Sequence, residues 1–136
     1  MIAPRSRSVV TRGLRAPRSR SGSACGNNAC MDLICDDLAE EHAELDAVVA
    51  GLEDVRWQLP TASAGWAIRD QISHLWFFDQ RALLALTDPD EFAADAARLF
   101  AAGGTEASVV PGREMSGAAL LDAWRRDRTA LLEVAR

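Results

Sequence analysis

The sequence predicts an all-α protein, an antiparallel (up-down) four-helix bundle. Apolar residues recur at three- and four-residue spacing in several segments, no stretch alternates with period two, and Pro, Gly, Ser and Thr cluster between those segments. A chain of 136 residues fits one domain.

The first helix is expected over Asp32 to Leu52, with Ile34, Leu38, Leu45, Val48, Val49 and Leu52 on one stripe. Acids crowd its first half, where they suit the positive end of the helix dipole. His42 falls on the same stripe. Asp54 to Gly65 reads as a loop broken by Pro60, Thr61, Ser63 and Gly65, with Trp57 folding back over the helix ends. The second helix is expected over Ala67 to Leu86. Ile68, Ile72, Leu75, Leu83 and Leu86 form its main stripe, and Trp76, Phe77 and Phe78 widen it, so it should pack on more than one side. Thr87-Asp88-Pro89 stops it and starts a shorter helix to Ala102, with Phe92, Ala96, Leu99 and Phe100 inward. Gly103-Gly104 opens a polar loop that runs through Pro111-Gly112. Ser116 then caps a last helix bearing Leu120, Leu121, Trp124, Leu131 and Val134, with Asp122, Arg125, Arg126, Asp127 and Arg128 as its solvated face.

Two segments of opposite charge are expected. Residues 1–31 carry six arginines and no acid, and form an Arg/Ser-rich leader without apolar periodicity, expected to be disordered. Residues 32–136 carry twenty acids against nine arginines and form the helical domain. The leader has the composition of a transit peptide, or of a translated region upstream of a start at Met31; Met31, just before the first helix signal, favours the second. The acidic body argues against nucleic-acid binding. Val9-Val10 is too short for a secretory h-region of about 7–15 residues. No stretch approaches the ~20 apolar residues of a membrane span. The expectation is a cytoplasmic protein without a membrane or nucleic-acid partner. Cys25, Cys30 and Cys35 lack zinc-finger spacing and read as incidental reduced thiols.

Few residues could carry chemistry. His74 lies four after Asp70 and four before Phe78, so the three share a helix face. A buried imidazole needs partners for its ring nitrogens, and a hydrogen bond to Asp70 or a backbone carbonyl, a metal, or a general-base role would each provide one. Asp70 also suits the first turn, accepting orphan backbone N–H groups. His42 could point into the same core as His74, though a satisfied half-buried histidine explains it as well. Asp79 falls close to the apolar stripe and needs a partner, for which Arg81 and the arginines of the last helix are candidates. Trp57, Trp66, Trp76 and Trp124 read as core aromatics. No Ser-His-Asp arrangement, phosphate loop or dinucleotide fingerprint is present, and no catalytic residue is identified.

The run Gly65-Trp66-x-x-Arg69-Asp70-x-x-x-His74-Leu75 is the most specific stretch. Together with Leu59-Pro60-Thr61, Phe78-Asp79 and Leu121-x-x-Trp124-Arg125-x-x-Arg128, it resembles the metal-binding N-terminal domain of mycothiol-dependent maleylpyruvate isomerases, within the DinB-like group of four-helix thiol-dependent enzymes. The resemblance covers most of residues 32–136 and implies a divalent metal, commonly zinc, with His74 as one ligand. The other two ligands, an acid or histidine and a histidine four residues later, belong in that family to a helix beyond the last one here, so the bundle is expected to be incomplete at the C-terminus. Asp70 is the candidate to hold His74's other ring nitrogen. Mycothiol is the implied cosubstrate, its thiolate adding to a double bond (isomerisation) or displacing a leaving group (transfer), on a small-molecule substrate. The alternative is a non-enzymatic helical module for partner binding or self-association, for instance as a homodimer. Ala67 stands where the family often has a capping Thr or Ser, a loss of about 1 kcal/mol.

Overall fold

Why these residues make helices is clearest at their ends. In the computed structural model, which describes residues 27–102 and 104–136, helix α1 runs Asn27–Val49. It starts a turn earlier than the apolar pattern predicts, because no Gly or Pro interrupts the sequence between Asn27 and Val49. The leader up to residue 26, with Cys25, lies outside the described residues. Helix α2 runs Ile68–Thr87. Asp88 ends it and caps α3 (Pro89–Ala101), its carboxylate accepting from the Glu91 N–H at 3.0 Å with Pro89 in the first turn. Helix α5 (Gly117–Ala135) begins at Ser116, whose hydroxyl accepts from the Ala119 N–H at 3.2 Å.

The connections carry structure of their own. Asp54–Gln58 forms a 3-10 turn that sends Trp57 into the core. Its indole lies so close over Gly117 that any Cβ there would collide with the ring. Pro60 and Ala67 then pair as an isolated antiparallel bridge, and Gly65 turns that loop with φ of 81°. The segment predicted as a polar loop is a 3-10 turn (Gly104–Ser108) followed by the short helix α4 (Val110–Arg113). It buries Ser108, Val109 and Gly112.

The fold is all-helical among the described residues. Helix α2 makes its largest contact with α5, α1 packs on α5, and α3 flanks α2. The core is Val49, Trp57, Ile72, Leu120, Leu121 and Trp124. Several residues predicted inward are not. Val48 is 71% and Phe100 81% exposed, and Ile34, Leu75 and Leu86 are exposed too. Leu75 and Val48 line an open apolar groove of about 400 Å3 between α1 and α2, and Phe92 and Phe100 line one of about 360 Å3 between α2 and α3. No helix among the described residues is long and apolar enough to cross a membrane.

Asp122 and Arg126 are exposed as their spacing predicts, but Arg125, Asp127 and Arg128 are less solvated. Arg125 and Arg128 both donate to the Asp46 carboxylate, at 2.6–2.7 Å, and clamp α1 to α5. Arg128 also donates to the His42 carbonyl and lies over the Trp124 ring. Asp127 accepts from Trp76 Nε1 at 2.6 Å and Gln80 Nε2 at 2.8 Å, joining α5 to α2. Three-residue periodicity cannot separate a solvated charge from one aimed at a neighbouring helix's polar group.

Candidate functional site

His74 sits two turns into α2, half-buried, with its ring between two aromatics. The Trp66 ring is 5.1 Å away, centroid to centroid, and the Phe78 ring meets it edge-on at 4.7 Å. Phe78 reaches His74 because it follows one helical turn later. Trp66 is held from the far side, its Nε1 donating to Glu106 at 3.2 Å. The residue that meets the imidazole Nδ1 is Ser108, at 2.8 Å. Nε2 has no hydrogen bond among the described residues and is not a buried orphan. Burial pushes the His74 pKa down, which favours the neutral ring.

Asp70 does not hold His74. One carboxylate oxygen accepts from the Ala67 N–H at 2.8 Å and the other from Arg113 Nε at 2.7 Å. The first contact is half of a capping box, since Ala67 has no hydroxyl to reciprocate. The second ties α2 to α4. Burial pushes the Asp70 pKa up, but the hydrogen bonds from Arg113 and Ala67 outweigh it and hold the carboxyl below its usual range. Asp70 therefore secures the segment 104–113, and that segment, not Asp70, supplies the partner of His74.

The same segment is fixed at further points on α2. Ser73 Oγ donates to the Ser108 carbonyl at 2.8 Å and accepts from the Gly112 N–H at 3.1 Å. Arg69 donates to the Arg113 carbonyl at 3.2 Å. Gly112 passes so close to Ser73 that a Cβ there would overlap its side chain. The segment is thus a strap across the face of α2 that carries residues 69, 70, 73 and 74. Ser108, Ser73 and Gly112 were not identified as site residues from the sequence. The only signal was Pro111-Gly112 inside a nominal loop, which marks a turn and not what the turn touches.

The second histidine lies elsewhere. His42 is buried against Trp124, edge-on at 5.6 Å, with Nε2 3.7 Å from the Asp79 carboxylate. Its Nδ1 is buried without a partner among the described residues. Asp79 takes its hydrogen bond from Trp124 Nε1 at 2.9 Å. Arg81, one of its expected partners, turns away to pair with Asp95 at 3.0 Å. Burial pushes His42 down, against the opposing charge of Asp79, and burial pushes Asp79 up, against the Trp124 hydrogen bond and His42. Each is therefore driven toward its neutral form.

Among the described residues no three His, Cys, Asp or Glu side chains are grouped to hold a metal ion. Cys30 is exposed, Cys35 is buried, and both are free. His74 Nε2 fits one metal bond, and the described residues supply no further donors beside it. What they form is an all-helical domain that presents a single imidazole nitrogen, walled by aromatics.

Residues 38–136 match the family described as mycothiol maleylpyruvate isomerase N-terminal domain, and the chain belongs to that family. Two uncharacterized proteins of Mycobacterium tuberculosis, from strains CDC 1551 / Oshkosh and ATCC 25618 / H37Rv, are each 41% identical to it over 99 residues. The match takes in 71% of this chain but only 38% of each relative, so the chain spans well under half the length of the curated relatives it matches. No solved structure matches.

Proposed function

We propose that this domain contributes His74 Nε2 as one ligand of a divalent metal centre, zinc by preference, in a cytoplasmic mycothiol-dependent isomerase or S-transferase. The remaining ligands would come from protein beyond the described residues, as the greater length of the relatives allows. The observation that carries the reading is the division of labour on the ring, with Nδ1 bound to Ser108 and Nε2 without a partner among the described residues. Family membership supports a thiol cosubstrate. A bound metal with an open position would supply thiolate at neutral pH. Trp66 and Phe78 would shield that position from water.

The test is cobalt substitution of the full-length gene product, followed by addition of mycothiol. A sulfur-to-cobalt charge-transfer band should appear in the wild type and be absent in His74→Ala. An unchanged band in the variant would contradict the assignment. The alternative, a self-associating helical module, draws on the exposed Val48, Leu75 and Phe100. Sedimentation of the full-length protein separates the two readings. A monomer would remove the support for association.

A further inference from the structure

We infer that the Ser108 hydroxyl sets the tautomer of His74, holding the proton on Nδ1 so that Nε2 presents its lone pair. The argument is a proton count. The Thr105 carbonyl can only accept, so the 2.5 Å contact between it and Ser108 Oγ uses the hydroxyl's single proton. Oγ then has only lone pairs to offer the imidazole nitrogen 2.8 Å away. His74 Nδ1 must therefore carry a proton and donate it, and in the neutral ring Nε2 is then the bare nitrogen. Ser108 is wholly buried, so bulk water does not compete for either contact. Its place is fixed by the strap, because Ser73, the residue before His74, donates to the Ser108 carbonyl and receives the Gly112 N–H. The hydroxyl and the ring are thus registered on the same turn of α2.

Ser108 is a positioning residue, acting through His74. Its consequence for metal binding rests on the reading of His74 as a ligand, but the tautomer itself does not. An Nε2–H ring, the form that predominates for histidine in water, would have to move its proton before Nε2 could take a metal. Fixing the other form in advance removes that step and orients the ring.

The experiment is long-range proton–nitrogen NMR of the metal-free full-length protein, labelled with 15N-histidine, at a pH where both rings are neutral. His74 is assigned by the signals lost in His74→Gln. The wild type should show Nδ1–H at His74. Ser108→Ala should move the ring toward Nε2–H, whereas Ser108→Thr, which keeps the hydroxyl, should not. Zinc affinity in Ser108→Ala should fall by about 10–100-fold, the usual loss for an outer partner of a ligating histidine. An Nε2–H ring in the wild type overturns the inference even if the alanine variant does not fold. So does an unchanged tautomer in Ser108→Ala. An Nδ1–H ring in a protein that binds no zinc would defeat the metal reading and leave this inference standing. Zinc bound through a ring that is Nε2–H before metal is added would do the reverse.

Discussion

The two histidines of this domain sit in contrasting surroundings. Both lie on long helices, both are pushed toward the neutral form by burial, and both meet a tryptophan. His42 is enclosed: Trp124, Asp79 and Arg128 surround it, and its Nδ1 is buried without a partner among the described residues. His74 has its Nδ1 held by Ser108 and its Nε2 left open. An orphaned nitrogen inside a core is a cost to folding. One left at an accessible edge, with the opposite nitrogen fixed, is the one we propose as a ligand. Neighbouring elements make the difference. His42 is covered by α5, whereas His74 is met by the strap and by Trp66.

Four variants sharpen the contrast. The largest effect is expected on the strap side. Gly112→Ala forces a methyl into Ser73, an overpacking cost of about 3 kcal/mol. It should also disturb the Ser108 contact and weaken zinc binding, read by urea unfolding and metal titration together. Gly112→Ala with wild-type stability would mean the strap is not docked as described.

On the His42 side, the Asp46 carboxylate is held down to about 2 from 3.8, chiefly by the Arg125 hydrogen bond and then by Arg128, against burial. A depressed acid stabilises above its unfolded pKa and loses that contribution as pH falls toward its folded pKa. Asp46→Asn should therefore cost on the order of 2 kcal/mol at neutral pH, with a deficit that shrinks between about pH 4 and pH 2. Zinc binding should be untouched, because Asp46 and the arginines join α1 to α5 away from His74. A parallel loss of metal would merge the two regions into one.

The smallest effect is the acid limb set by the rings themselves. Both histidines have folded pKa values below 6.5. The unfolded chain then binds protons first, so stability of the metal-free protein is full above that pH and falls below it. His42 is the more enclosed ring, so His42→Gln should flatten the limb more than His74→Gln in denaturant titrations across pH. The opposite ranking would place the more desolvated ring at position 74.

Much of this contrast could be read from the chain, and the unread part has a common cause. The α2 and α3 boundaries, the caps at Asp88 and Ser116 and the inward Trp57 follow from local pattern, because each depends on residues a few positions apart. His74 stood out because the Trp66-to-Leu75 run is distinctive. Its partner did not. Asp70 lies one turn away and is the natural choice by helical spacing, but Arg113 claims it across 43 residues of sequence. Ser108 lies 34 residues from His74 in what reads as a polar loop. The same holds for Asp79, whose partner is Trp124 instead of a nearby arginine. Spacing along a helix says which side chains share a face. It does not say which loop will be laid across that face.

The most direct test of the central claim compares zinc content of the full-length protein carrying His74→Ala with that carrying His42→Ala, after exhaustive dialysis against a weak chelator. His42→Ala should retain zinc at the wild-type level and His74→Ala should lose it, with both still helical by circular dichroism. Zinc retained by His74→Ala would show that the imidazole on α2 is not a metal ligand.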